Sequence, residues 1–229
     1  MDLKHDSGTL RSVLQSVLGQ QRLSELSCCR LVLPTVRAVN GEAEVIVTAH
    51  SADRTAFRNI SAIDAALASS AAPTYFDEAE VNGPVAVESY LDGGIWANNP
   101  VLPAVAEAVR YLRIPIDGID VLSVGTVGYE ANFRESLGRG KLGWAPTSAV
   151  LFFAAQEHAA AALADNLLTP ARHLRVDQHA PTEIKLDDFE AIDDLALRGS
   201  NVGQDSFVAV RSRFLDGFLA PDWRLERFD

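Results

Sequence analysis

Asp92, Gly93 and Gly94 form the stretch of this sequence best placed to do chemistry. They follow the apolar, tyrosine-bearing run 85–91, which reads as a strand, so Asp92 is expected at a strand's end, where a side chain can point into a cleft. Two glycines in a row let the backbone turn sharply and let another segment or a ligand approach closely. Taken alone the tripeptide is a common turn. Three other chemistries can be read from the residues. Asp92 with Asp187, Asp188, Asp193 and Asp194 could hold a metal, but these acids lack histidine companions and any known ligand spacing, and a solvated acidic loop is the better reading of 183–188. The turn Gly125, Thr126, Val127, Gly128 invites a nucleotide but lacks the lysine and spacing of a phosphate loop. His5, His50, His158, His173 and His179 stand in no recognisable arrangement with a serine, and each is read as a surface or packing residue.

The elements that must position Asp92 lie on both sides of it. Leu10, Val13, Leu14, Val17 and Leu18 share one helical face, which Gly19 ends. Residues 30–39 read as a strand interrupted or edged by Pro34, and Asn40-Gly41 turns it into a return strand at 44–49. Residues 51–59 read as a loop. Ser61 and Asp64 fit a capping box for a small-residue helix at 62–70. Asn82, Gly83 and Pro84 mark another turn. After Asp92, Asn98 and Asn99 either hydrogen-bond the aspartate's loop or cap the helix at 101–113, and Asn99 is assigned the cap, with Pro100 setting the entry. A buried strand is expected at 119–124, a long mobile loop at 125–146, a helix at 148–168 capped by Thr147, a short strand at 173–177, and two helices at 189–197 and 201–218. Alternating strands and helices predict a single α/β domain over 1–229 with a partly parallel sheet.

Composition excludes some partners. With 229 residues and a net charge of −11, the chain does not suit nucleic acid, which needs a basic surface. Membrane contact, if transient and peripheral, cannot rest on general attraction to anionic lipid. Cys28 and Cys29 are adjacent and predict a reducing compartment rather than a disulfide, redox or metal role. The chain opens on polar and acidic residues, so no signal peptide is expected. The longest apolar stretch, 148–168, carries Gln156, Glu157, His158 and Asp165, too costly for a lipid-facing span. A cytoplasmic protein is the expectation.

The ordered set ALASSAAPTYF, SYLDGGIWANNP and VLSVGT resembles the patatin-like phospholipase family, over about residues 4–215. The resemblance implies a patatin-like three-layer α/β sandwich and a lipid acyl hydrolase of the phospholipase A or lysophospholipase type, with no metal or other cofactor. It also implies a serine–aspartate dyad. In that family a serine in a Gly-x-Ser-x-Gly turn attacks the ester carbonyl, and the Asp-Gly-Gly aspartate, here Asp92, accepts the serine's proton and later helps water in. Gly93, Gly94, Asn98 and Asn99 become its structural support. Such a base must be partly buried, so that its pKa is not too low to take a proton. Tyr75, Phe76, Tyr90 and Trp96 either line an acyl channel or pack the core.

The serine half of the dyad is absent. No Gly-x-Ser-x-Gly occurs among the 229 residues, and Ser69, Ser70, Ser123 and Ser200 lack the strained strand-to-helix setting of a nucleophile. The chain is therefore expected to be the C-terminal part of a patatin-like domain, incomplete on its N-terminal side. Losing nucleophile and oxyanion donors together predicts no measurable hydrolysis by the chain alone. The missing segment would also carry central strands, leaving an uncovered edge that favours a partner or aggregation. A mis-started gene, a second chain carrying the serine, or a remnant kept as a non-catalytic lipid- or protein-interaction module all remain open.

Overall fold

The computed structural model describes residues 5–26, 29–83, 86–129, 132–145 and 147–216. Cys28, Pro84, Val85, Pro146 and the stretch of the last expected helix beyond 216 lie outside them. The chain forms two compact units, the first drawn from residues up to Pro115 and the second from Ile116 onward.

In the first unit, Asp6 caps helix α1 (Ser7–Leu18) by accepting the Gly8 and Thr9 amides at 3.2 and 2.8 Å. Gly19, at φ +64°, ends it. Strands β1 (Val32–Arg37) and β2 (Ala43–Val47) are the expected hairpin, closed with Gly41 at φ +72°. Helix α2 (Ala62–Ser70) starts at the expected cap, with Ser61 Oγ accepting the Asp64 amide at 2.9 Å. Strands β3 (Ala79–Asn82) and β4 (Val87–Asp92), the short helix α3 (Gly94–Ala97) and helix α4 (Val101–Arg110) complete the unit.

The sheet order is β2-β1-β4-β3, and every pairing in it is antiparallel. Strand β4 meets β1 only from Thr35↔Asp92 to Arg37↔Tyr90. Pro34 thus lies one residue past that ladder, where a missing N–H costs least. The core gathers Leu23, Ile46, Phe57, Ile60, Ala65, Ala68, Val81 and Tyr90. Phe57 comes from the expected loop 51–59 and is 4% exposed, so that loop is partly a core element. The alanines of α2 let the helix settle close on the sheet, where larger side chains would hold it off.

The second unit contains strands β5 (Val121–Val124) and β6 (Gly128–Tyr129), helices α5 (Gly140–Trp144) and α6 (Ser148–Leu168), strands β7 (His173–Val176) and β8 (His179–Ala180), and helix α7 (Ile192–Val210). Strand β5 pairs in parallel with β7, and β6 with β8. The α/β class holds, but the parallel pairing is confined to this unit.

Three expectations are corrected here. Residues 125–146 are not one structureless loop, since they hold β6, α5 and a helical turn at Arg134–Ser136. The two expected C-terminal helices are the single helix α7, running into a π turn at Arg211–Leu215. Gly199 and Gly203 face open space, so each weakens that helix by about 1 kcal/mol without breaking it. Thr147 holds the N-cap position of α6 as expected but makes no side-chain capping bond, because its hydroxyl donates to the Trp144 carbonyl instead. Helix α6 buries Ala160, Ala164 and Leu168 and exposes Phe152 and Leu167. Among the described residues no helix is long and apolar enough to cross a membrane.

Candidate active site

Asp92 is the last residue of β4 and lines a cleft of about 290 Å³. The cleft wall is Val32, Leu33 and Pro34 from β1, Ser69 from the end of α2, then Gly93, Gly94, Ala97, Asn98 and Pro100. It lies where β4 has ended and β1 continues without it. One carboxylate oxygen, Oδ1, accepts the Gly94 amide at 2.7 Å. The other takes no hydrogen bond from a described residue. Burial pushes the Asp92 carboxyl above its ordinary pKa, and the Gly94 hydrogen bond only partly opposes this.

The backbone of the aspartate is held from two directions. Its amide donates to Ala71 O at 3.0 Å, and the Gly93 amide donates to Ser69 O at 3.4 Å, so the end of α2 grips both peptides. Gly93 sits on β1, where an added Cβ would lie 2.0 Å from Pro34 O. The Trp96 indole donates to Thr35 O at 3.0 Å, and the Ser69 hydroxyl to Pro34 O at 2.7 Å. Asn98 lines the cleft. Asn99, buried, accepts the Val101 amide at 3.2 Å in the turn before α4, whose N-cap position is taken by Pro100 rather than by the Asn99 expected there.

The remaining candidates are placed elsewhere or are occupied. Ser69 points its hydroxyl at β1, Ser70 bonds Ala66 O, Ser123 accepts from Arg175 at 2.8 Å, and Ser200 lies on α7. None of their hydroxyls hydrogen-bonds Asp92. Tyr90 is fully buried in the core with its hydroxyl on Glu88, and Tyr75 and Phe76 lie beside the His5 ring. None of Tyr75, Phe76, Tyr90 and Trp96 lines the Asp92 cleft. Asp92 belongs to the first unit, whereas Asp187, Asp188, Asp193 and Asp194 belong to the second. Asp188 caps a helical turn through the Glu190 amide, and Asp194 pairs with Arg198. Among the described residues no three His, Cys, Asp or Glu side chains gather as metal ligands. The 125–128 turn is filled by a carboxylate, since an added Cβ on Gly125 would lie 2.1 Å from Asp177, and a phosphate would meet like charge there.

The sequence reading missed the buried cluster of His50, Arg54 and Glu107. His50 Nε2 lies 3.0 Å from Glu107 Oε2, and Arg54 donates through Nε to that oxygen at 3.1 Å and through Nη2 to Oε1. His50 is therefore part of an ionic network rather than a packing residue. The three positions lie up to 57 residues apart, and no local pattern joins them.

Asp92 also sets a stability expectation. Its folded pKa lies above its unfolded value, so its contribution is full below the unfolded pKa and is lost as pH rises through the folded one. At neutral pH the buried charge is a cost. Asp92→Asn keeps an acceptor for the Gly94 amide and removes that charge. The variant should melt roughly 2–4 °C higher at pH 7, the gap closing in acid where the wild-type carboxyl is protonated. A lower melting temperature for the variant at pH 7 would contradict the burial account.

Comparison with known proteins gives the same family from independent signals. A family model described as patatin-like phospholipase matches residues 1–105. The chain is 30% identical over 239 residues to a cGAMP-activated phospholipase of Vibrio cholerae, covering 95% of this chain and 66% of that protein. It is 28% identical over 233 residues to a protein of the same name from Pseudomonas aeruginosa, covering 99% and 67%. Patatin-like protein 2 of Arabidopsis thaliana is 29% identical over 161 residues, covering 62% and 39%. The chain thus spans about two thirds or less of the length of these relatives. A family match that takes in β1 and β4 with the cleft between them, and a likeness that covers 95–99% of this chain beyond it, place this chain in the patatin-like phospholipase family.

Proposed function

We propose that Asp92 is the proton acceptor of a serine–aspartate dyad that cleaves lipid acyl esters, and that the serine comes from polypeptide outside these 229 residues. The observation that supports this most is a half-buried carboxylate at a strand's end, raised in pKa, bonded through one oxygen only, and lining an open cleft. In this reading the serine hydroxyl enters the cleft and attacks the ester carbonyl while its proton passes to Asp92. The acyl group is then carried on the serine, and the alcohol half departs with the proton. Water, deprotonated by Asp92, releases the acid. The Gly94 amide fixes the Asp92 carboxylate without neutralising it. The names of the relatives make a phospholipid the substrate class we favour. The two units are then parts of one patatin-like domain, in a cytoplasmic protein that meets membranes only at their surface.

The experiment is an assay of the purified chain with fluorogenic phospholipid and short-chain ester. No turnover and no labelling by a fluorophosphonate are expected. The coding DNA around the chain is read in all frames for Gly-x-Ser-x-Gly, and the serine-bearing segment is then joined or added. Turnover should appear, and Asp92→Asn should remove it. Hydrolysis by the chain alone that Asp92→Asn abolishes would place the nucleophile within it and overturn the proposal. Failure of every serine-bearing segment to restore activity would favour a non-catalytic interaction module, the second reading that the missing motif supports.

A further inference from the structure

We infer that Thr35 is the positioning residue of the candidate base: its one buried hydroxyl ties the end of α2 to the end of β4 and so fixes where Asp92 lies. The inference rests on the reading of Asp92 as proton acceptor. Thr35 is fully buried and sits directly opposite Asp92 in the β1–β4 ladder. Its Oγ1 lies 3.0 Å from Ala68 O and 2.8 Å from Leu91 O. One hydroxyl hydrogen is thus shared between a carbonyl of the last turn of α2 and the carbonyl just before Asp92.

The location is what gives this bond a consequence. The last carbonyls of a helix have no partner within it. Here the site itself supplies partners: Thr35 for Ala68 O, the Gly93 amide for Ser69 O and the Asp92 amide for Ala71 O. The Ser69 hydroxyl and the Trp96 indole return to the carbonyls of Pro34 and Thr35 itself. Helix end, strand end and β1 form a closed ring of hydrogen bonds with Thr35 at its centre. The carbonyl end of α2 is also a partial negative charge held against the aspartate's peptide, which disfavours ionisation. The neighbours of Thr35 on β1 are Pro34 and Val36, and valine has threonine's shape. A hydroxyl at a fully buried position is costly unless it is bonded, so the bond, not the packing, accounts for a threonine here.

The test uses Thr35→Val and Thr35→Ser in the whole chain. Amide exchange is followed at Asp92 and Gly93, with the Arg37 amide, bonded to Glu42 O on the far side of β1, as the control. The Asp92 carboxyl is titrated by carbon NMR, its signal assigned by its loss in Asp92→Asn. In Thr35→Val the two site amides should lose protection by about tenfold relative to Arg37, and the carboxyl should titrate closer to the ordinary aspartate range. Thr35→Ser should keep both. Unchanged site amides in Thr35→Val, an equal loss at Arg37, or a serine variant that behaves like valine would each overturn the inference. Should Thr35→Val not fold, Thr35→Cys, a similar volume with a weak donor, is read by the same criteria. Neither readout needs turnover, so failure of the dyad assay would leave this result standing.

Discussion

Gly93→Ala is expected to lower the stability of the first unit by about 3 kcal/mol or more, seen as a fall of roughly 6–12 °C in melting temperature or as insoluble protein. The reason is room, not dihedral freedom. Gly93 has φ −65° and ψ −19°, which any residue adopts. An added Cβ would lie 2.0 Å from Pro34 O and 2.2 Å from Pro34 C, both backbone atoms of a strand that is paired on its far side to β2. No rotamer change relieves that clash, so either β1 or the Asp92 loop must move. Gly94 is the internal control. Its added Cβ would lie 3.1 Å from Asp92 Oδ1, the end of a side chain that can turn away. Gly94→Ala should change stability by less than about 1 kcal/mol, because alanine gains in helix propensity part of what crowding costs. Equal stability loss in the two variants, by thermal or urea melts, would mean that the close approach of Gly93 to β1 is not the constraint inferred here.

The contrast between the two glycines marks what the sequence can and cannot reveal. Asp92 at a strand's end was legible because a tyrosine-bearing run stops at an aspartate and two glycines. So were the Ser61 cap, the Asn40-Gly41 turn and the α6 helix, each written in residues a few positions apart. That Gly93 is needed for proximity to Pro34, 59 positions upstream, was not. Nor were the Thr35 bonds to Ala68 O and Leu91 O, at separations of 33 and 56. Strand β3 was missed because Ala79–Asn82 is short, with only Val81 fully buried. Helix α7 was divided at Gly199-Ser200 because glycine signals a stop only when the chain needs to turn there, and open space around it removes that need. The antiparallel order of the first sheet escaped for a related reason: alternation reveals a strand but not its neighbour's direction.

The buried cluster of His50, Arg54 and Glu107 carries the other large effect. Glu107 is 6% exposed, and its two oxygens serve His50 and Arg54. Glu107→Ala would leave a buried imidazole and a guanidinium without their acceptor. The Arg54 side chain is 20% exposed and stacks on the Tyr111 ring at 4.7 Å, so water can reach part of it. The loss should therefore sit near the low end for a broken buried pair, about 3 kcal/mol. Arg54→Met combined with Glu107→Met should cost less than Glu107→Ala alone, since no unpaired charge remains. The same cluster predicts a pH dependence. Burial, opposed by Glu107 and helped by Arg30 and Arg54, lowers the His50 pKa below its ordinary 6.5. The unfolded chain then takes up a proton that the folded one resists, so stability is full above about pH 6.5 and is lost as pH falls from there toward the folded value. His50→Gln should flatten that part of a melting-temperature profile. A wild-type profile that rises as pH falls through 6.5 would mean the histidine is held charged by Glu107 instead.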